Sequence, residues 1–397
     1  LKEFIRHLKE FLREHVRDYA MFIALLAIMA VFAALSGGDF LSPVNISNLV
    51  DQTGYIAVLA IGETLIIVIR HIDLSVGFLS GFLGAIAAIL MQFYHFSALS
   101  AIIIVLVLGT LAGLLNGSLV AYLRIPAFVA TLAGWLVYRG ALLLATKSSG
   151  TIIITNKTFN AIGNGFIPDL PFINNILPNY HKLTLLVGIV TAVLIVYFSL
   201  KNRAQQIKRG FDVLPIDIFL IELLFIDALL LYITFTLAAH HRGISWTFVI
   251  MIITTIIYSF ITNRTVLGRH IYAVGGNPEA AALSGINVKK ITLIVFASMG
   301  FLSGLSGILF ASRLQSATTT AGTLFELYAI AGAFIGGVSA GGGVGKVINS
   351  LIGAFVMSTL TNGMNLLGVD ISLQYIILGI VLAGAVIFDV ATRSKGR

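Results

Sequence analysis

Residues 98–123 read ALSAIIIVLVLGTLAGLLNGSLVAYL, and Arg124-Ile125-Pro126 closes the run. No charge interrupts it. A helix needs only about 20 predominantly apolar residues to cross the hydrocarbon core of a bilayer, so this stretch reads as a transmembrane span. Working outward, comparable apolar windows fall near residues 19–36, 49–69, 75–95, 126–146, 183–200, 213–238, 244–262, 291–312, 326–340, 347–367 and 372–391. Those near 49–69, 75–95 and 326–340 are short or broken by polar and glycine residues, which predicts broken or re-entrant helices. The whole composition agrees: 397 residues, 58% hydrophobic and 11% charged, with a mean hydropathy of +1.00. A soluble fold cannot bury so much apolar surface while exposing so few charges. That excludes a soluble enzyme and an intrinsically disordered chain, and the lack of cysteine excludes a disulfide scaffold and thiol chemistry. The expected fold class is an all-α polytopic membrane protein with about 10–12 transmembrane helices, including broken or re-entrant ones, and a weak internal repeat.

The formal charge is +8, but the basic residues sit in tails and short loops, where they set orientation and do not form a nucleic-acid surface. Alternating twelve spans puts the amino tail, loop 201–210, loop 263–290, the carboxyl tail, Arg70, Arg124 and Lys346 on one side. These carry 19 of the 25 Lys and Arg residues. The positive-inside rule makes that side cytoplasmic, with both termini there. Residues 1–18, LKEFIRHLKEFLREHVRD, place apolar residues at helical spacing against a charged face. They read as a cytoplasmic amphipathic helix lying on the membrane surface. The first apolar run, long and preceded by this charged segment, reads as a retained span and not as a cleaved signal. A membrane domain then occupies 19–392, and 393–397 form a basic cytoplasmic tail. The longest outer loop, 147–182, contains Pro168, Pro171 and Pro178 and is expected to cap the outer face. The internal echo lies between residues 55–90, with a polar break at 70–77, and residues 328–360, with a break at 341–346.

The inside loop 267–290 reads LGRHIYAVGGNPEAAALSGINVKK. Gly275-Gly276-Asn277 is turn chemistry. Pro278 suits the first helical position, Asn277 the cap, and Glu279 the first turn. Ala280, Ala281, Ala282 and Leu283 favour helix, Ser284 follows, and Gly285 is a natural stop. A helix of about two turns cannot be stable alone. It makes sense as an element that docks into a groove of another protein.

At this point the sequence resembles a family. Gly-Gly-Asn-Pro-Glu-Ala-Ala-Ala-Leu-Ser-Gly-Ile-Asn-Val, residues 275–288, looks like the coupling-helix region of inner-membrane permeases of monosaccharide ABC importers. Ile72-Asp73-Leu74-Ser75-Val76-Gly77 is similar to that family's IDLSVG signature, with His71 where Gly is usual. Gly113-Leu114-Leu115-Asn116-Gly117, the span start from Ile125-Pro126 to Gly134, and Asn362-Gly363-Met364-Asn365-Leu366-Leu367-Gly368 resemble further family segments. The matches run in the family's order from residue 45 to 392, and the D-xylose-type members look most similar. Ribose-type members are shorter; the extra length falls near 183–243 and looks like an inserted pair of spans. Asp217, Glu222 and Asp227 within it match no family pattern. The resemblance implies a homodimeric pore in the lipid bilayer. A cytoplasmic ATP-binding subunit would dock on Asn277, Pro278, Glu279, Ala280, Ala281, Leu283, Ser284 and Gly285, and a periplasmic sugar-binding protein would deliver substrate. It also implies no catalytic residue and no cofactor of this chain's own; ATP and magnesium belong to the partner.

The candidate translocation path is the small set of polar residues in or beside the spans: Glu63, Asp73, Ser75, Asn116, Asn362, Asn365 and Gln374, with Gln52 nearby. Hydroxyl-bonding side chains of this kind suit a sugar, although polar residues in spans also serve helix–helix contacts. Asp73 suits equally a cap at the broken helix. Ala340 to Val347 superficially resembles a phosphate loop, but its first position is Ala340 and Val347 follows Lys346, so a flexible break is the better reading. His71, His240 and His241 have no partners at metal-ligand spacing, and no metal is expected. The small-residue series Gly81 and Gly84, Gly300, Gly304 and Gly307, and Gly332, Gly336 and Gly337 point to close helix packing.

Two alternatives stand beside the importer. An ion-coupled secondary transporter would use Glu222 or Glu63, each set within an apolar span. A membrane-embedded enzyme has no nucleophile, metal cluster or acid/base pair to support it.

Overall fold

The computed structural model describes residues 21–170, 179–211, 213–239 and 243–394. The amphipathic segment 1–18, Pro171, Pro178, His240 and His241 lie outside the described residues. The chain is all-α apart from one two-stranded ribbon. A short helix α1 (Met21–Leu35) leads into α2 (Pro43–Val68), α3 (Val76–Gln92), α4 (Ala98–Ala121) and α5 (Ala127–Thr146). Then follow β1 (Thr151–Ile153) and α6 (Lys157–Asn164), then α7 (Lys182–Lys208), α8 (Ile216–Ala238) and α9 (Trp246–Arg264). Two short helices, α10 (Val266–Gly276) and α11 (Pro278–Leu283), precede α12 (Val288–Leu314), β2 (Ser316–Thr318), α13 (Phe325–Ile335), α14 (Val347–Leu366) and α15 (Ile371–Ser394).

Among the described residues, eight helices are long and apolar enough to cross a membrane: α2, α4, α5, α7, α8, α9, α12 and α14. α1, α3, α13 and α15 are shorter apolar helices over their described residues. Two of the three doubtful windows are short as expected: α3, and α13, which at 11 residues spans only about 16 Å, half the hydrocarbon core. The third is not. α2 is one unbroken helix of 26 residues that begins six residues before the expected window, because the Ser42 side chain accepts from the Asn45 N–H and Pro43 fills the first turn. α7 likewise runs through the expected loop 201–210 as far as Lys208. Lys, Arg, Ala and Gln favour helix, and a basic last turn suits the helix dipole.

α2 is the axis of the molecule. Its side chains from Ile56 to Val68 are buried against α9, α12, α13 and α14. α4 and α12 touch backbone to backbone: a Cβ on Gly300 would overlap the Gly109 carbonyl oxygen, and one on Gly113 would overlap that of Phe296. In lipid, where apolar side chains gain nothing by leaving the solvent, such close approach is a main source of association. The opposite face of α4, with Leu99, Ile103, Val107, Leu111 and Leu115, is exposed, as a lipid-facing surface requires. α7 and α8 pack on each other where Gly188 meets Thr234, and much of their remaining apolar surface is exposed.

The described residues of the expected outer loop, 147–170 and 179–182, carry secondary structure of their own. β1 pairs antiparallel with β2, Thr151 opposite Thr318 and Ile153 opposite Ser316. α6 is capped by Asn156, and Asn164 Nδ2 donates to Ser312 O at 2.7 Å. Asp169 anchors the start of α7. Its Oδ1 accepts from the backbone N–H groups of Leu170 and Leu183, each at 2.9 Å, with Lys182 Nζ 3.4 Å from Oδ2. Desolvation alone would raise this carboxyl. The Leu183 and Leu170 N–H groups, with the Lys182 backbone and His181, outweigh it and hold the group below the usual carboxylate range. A carboxyl held low contributes stability at every pH above its unfolded value, and that contribution goes only as pH falls through the lowered folded value. Hydrogen exchange at the Leu183 amide is therefore expected to stay protected down to and somewhat below about pH 3.9, the ordinary aspartate value. Loss of protection well above that pH would refute the anchor.

Candidate functional site

The path candidates do not form one site; the structure divides them into three groups. The first surrounds the break between α2 and α3. Asn116 Nδ2 donates to Ser75 Oγ at 2.9 Å, and Ser75 Oγ donates to Asp73 Oδ1 at 2.6 Å. Asp73 Oδ1 also accepts from the Ser75 backbone N–H at 2.9 Å, and Thr131 Oγ1 donates to Ile72 O at 3.3 Å. This relay ties α3, α4 and α5 at one point and fixes how the chain turns after α2. Asp73 closes the turn before α3, yet the residue at the cap position itself is Ser75, and α3 begins at Val76. Glu63 lies one level away on α2, fully buried, and neither carboxylate oxygen has a hydrogen-bond partner among the described residues.

The second group lies about 16 Å further along α2, the rise of the eleven residues from Glu63 back to Gln52. Asn362 Nδ2 donates to Gln52 Oε1 at 3.3 Å, and Asn45 Nδ2 donates to Asn362 Oδ1 at 2.9 Å. Beside them a cavity of about 40 Å³ is lined by Gln52, Tyr55, Tyr328, Met357, Ser358 and Thr361. That holds a water and not a monosaccharide, for which pockets are several times larger. Tyr55 stacks on Phe325 with ring centroids 5.0 Å apart and meets Phe310 edge-on at 5.1 Å. Amides and aromatic faces together are what a sugar needs, and α2, α13 and α14 would have to part for one to enter.

Asn365 and Gln374 form the third group. Gln374 Nε2 donates to Asn365 Oδ1 and to Val369 O, both at 2.9 Å, which ties the turn between α14 and α15. Their bonds serve that turn.

The sequence reading missed two further polar residues. Glu326, in the first turn of α13, is buried and accepts from Trp135 Nε1 at 3.0 Å, while its Oε2 has no hydrogen-bond partner among the described residues. Asp51 pairs with Arg313 at 3.4 Å across α2 and α12. An acid at the start of an apolar run was the visible signal for Glu326, but its partner is 191 residues away.

The segment from Gly275 to Gly285 is built largely as the residues dictate. Asn277 Oδ1 accepts from the N–H groups of Glu279 and Ala280, each at 3.0 Å, and Pro278 opens α11. Ser284 Oγ returns to Ala280 O at 2.9 Å, and Gly285 takes φ 84°, the left-handed conformation that ends helices. Ala281 is buried beneath, while Glu279, Ala280 and Leu283 face outward; Leu283 is 91% exposed. One expectation is corrected. Gly275 and Gly276 do not form a turn but complete α10. Glycine is needed at 275 because a Cβ there would overlap the Val68 carbonyl oxygen.

The rival motifs find other places. Residues 336–346 are the connection between α13 and α14, with Gly342 and Gly343 at positive φ and Lys346 exposed just before α14. His71 is half-buried, its ring 6.0 Å from that of Phe296. Among the described residues no group of three His, Asp or Glu could hold a metal. Glu222 is half-buried on α8.

Comparison with known proteins extends this picture. Residues 45–386 match the family described as branched-chain amino acid transport system / permease component. The chain is 38% identical over 382 residues to the xylose transport system permease protein XylH of Haemophilus influenzae, covering 96% of this chain and 98% of that protein. It is 35% identical to the protein of the same name from Escherichia coli K12, over 96% and 93% of the two chains. It is 33% identical to the ribose import permease protein RbsC of Escherichia coli K12, over 96% and 95%. No solved structure matches it.

Proposed function

The chain belongs to the family of branched-chain amino acid transport system permease components, and on that footing we propose that it is the membrane-spanning permease subunit of an ATP-driven importer for a monosaccharide, xylose or a related pentose or hexose. The sugar class follows its relatives, whose names specify xylose and ribose, in preference to the amino acids of the family's description. The observation that carries the ATP-driven reading is α11: a capped helix of six residues with Leu283 91% exposed at its end. So short a helix has no stability of its own to spare, and an exposed leucine at its tip is a contact awaiting a partner. A cytoplasmic ATP-binding subunit supplies that partner, together with ATP and magnesium. A second copy of the chain completes the pore, and a periplasmic sugar-binding protein delivers the substrate. Both termini and α11 then face the cytoplasm, and the chain performs no covalent chemistry.

The test is to purify the tagged chain from its native membranes in mild detergent and identify what accompanies it. A soluble ATP-binding protein is expected. Its absence from preparations that actively transport would overturn the reading. A second reading has one observation in its favour: the fully buried Glu63, with both oxygens lacking hydrogen-bond partners among the described residues, could be the proton carrier of an ion-coupled transporter, as could Glu222. Glu222→Gln, assayed with the proton gradient collapsed and ATP maintained, separates the two. Uptake is expected to persist unchanged in this variant, whereas its loss together with dependence on a proton gradient would support the secondary transporter.

A further inference from the structure

Three segments far apart in the chain meet at the end of α10, the helix that leads directly into α11. They are the end of α2 from Val68 to Arg70, the last turn of α10 at Gly275 and Gly276, and the glycine connection 336–346. Arg70 holds them together. It stands just past α2 with φ 66°, a conformation that carries a local cost for any residue but glycine and so needs compensating contacts. Its Nε donates to Gly275 O at 2.7 Å and its Nη2 donates to Gly276 O. These are terminal carbonyls of α10, which the helix itself leaves unsatisfied and which lie at the negative end of its dipole. One planar guanidinium thus caps two of them.

The glycine connection closes on the same side chain. Gly342 packs so tightly on the Arg70 stem that a Cβ would overlap its Cγ. Gly343 N–H donates to Val68 O at 2.9 Å, and the Tyr272 hydroxyl of α10 donates to Gly345 O. Gly276 is followed immediately by Asn277, the residue that caps α11. The docking helix is therefore one residue from a carbonyl held by Arg70. Arg70 itself ends the helix that carries Gln52 and Glu63.

We infer that Arg70 is the positioning residue that carries movement of α11 into the membrane, by clamping α10, the end of α2 and the 336–346 connection into one lever. This rests on the reading of α11 as the docking helix. Displacement of α11 by its partner moves the end of α2 and the link between α13 and α14 as a unit, and α2, α13 and α14 are the helices that line the cavity at Gln52, Tyr55 and Tyr328. Lysine cannot substitute: its ammonium is a point charge without the rigid fork that reaches two carbonyls at once.

The experiment uses the complete complex, purified with wild-type chain, Arg70→Lys, Arg70→Ala or the milder Tyr272→Phe, which deletes one hydroxyl link. Each variant is expected to retain its ATP-binding subunit and to hydrolyse ATP. Sugar uptake per ATP falls about tenfold or more for the Arg70 variants, the loss of two charged hydrogen bonds, and less for Tyr272→Phe. The chain has no cysteine, so spin labels at Arg269→Cys on α10 and Ile348→Cys on α14 report the clamp directly. Their spacing is expected to be narrow with and without ATP in wild type and broad in Arg70→Ala. Normal uptake per ATP with unchanged spacing would overturn the inference. So would loss of the subunit from both Arg70→Lys and Tyr272→Phe, which would assign the clamp to assembly and not to transmission. Failure of the docking reading itself shows separately, as absence of any ATP-binding subunit from the wild-type complex.

Discussion

Leu283→Asp is expected to strip the ATP-binding subunit from the purified chain and abolish ATP-driven uptake while the membrane fold stays intact. The side chain touches little of its own molecule, since 91% of it is exposed, so its removal costs the isolated chain almost nothing. Burying a leucine against a partner is worth roughly 1.5–3 kcal/mol, and an aspartate in the same pocket adds an unpaired charge. Together these exceed about 2 kcal/mol, or roughly thirtyfold in affinity. The check is co-elution of the subunit beside a monodisperse, fully helical chain. Retention of the subunit by Leu283→Asp would remove the docking helix from the account. Glu279→Arg, which reverses a charge on the same exposed face, is expected to act in the same direction. Gly285→Arg is a poorer probe. At φ 84° any side chain costs about 1 kcal/mol of local stability, so it would disturb the helix end as well as the contact.

Gly300→Leu is expected to prevent stable folding. The glycine lies against the Gly109 carbonyl and the Gly113 backbone of α4, with no space for even a Cβ. α4 and α12 would have to separate, losing the contacts that hold two central helices together in lipid. Overpacking of this kind costs about 3 kcal/mol or more, a large share of a protein's margin. Gly140→Leu is the control. Gly140 is exposed on α5 with nothing within 4 Å of its would-be Cβ, and a leucine there simply joins the lipid-facing surface. The measurement is the thermal midpoint of each variant in detergent. Equal midpoints for the two would refute the packing argument.

The contrast between these two glycines shows what the residues declare and what they withhold. Helix existence was legible because about 20 apolar residues in lipid have hardly any other option. The cap, first turn and stop of α11 were legible because each depends on neighbours in sequence. Gly275 and Gly276 were misread for the same reason: local propensity makes a Gly-Gly pair a turn, whereas here Gly275 serves close approach to Val68, more than 200 residues earlier. Long-range pairings were invisible altogether. Nothing in Thr151-Ile152-Ile153 announces Ser316-Ala317-Thr318 as its partner strand, and nothing in Arg70 points to Gly275 and Gly276. What the path candidates share in sequence is polarity alone. The structure sorts them into a relay at the α2–α3 break, an amide cluster beside a small aromatic cavity, and a pair that ties a turn. Sequence polarity cannot make that distinction.

The most direct test of the central claim is the energy source of uptake. Cells expressing the chain with its partners are given labelled xylose or ribose, first with the proton gradient collapsed by an ionophore and ATP maintained, then with ATP depleted and the gradient restored. Uptake that survives the first condition and stops in the second is the predicted result. Uptake that follows the proton gradient and ignores ATP would contradict the account.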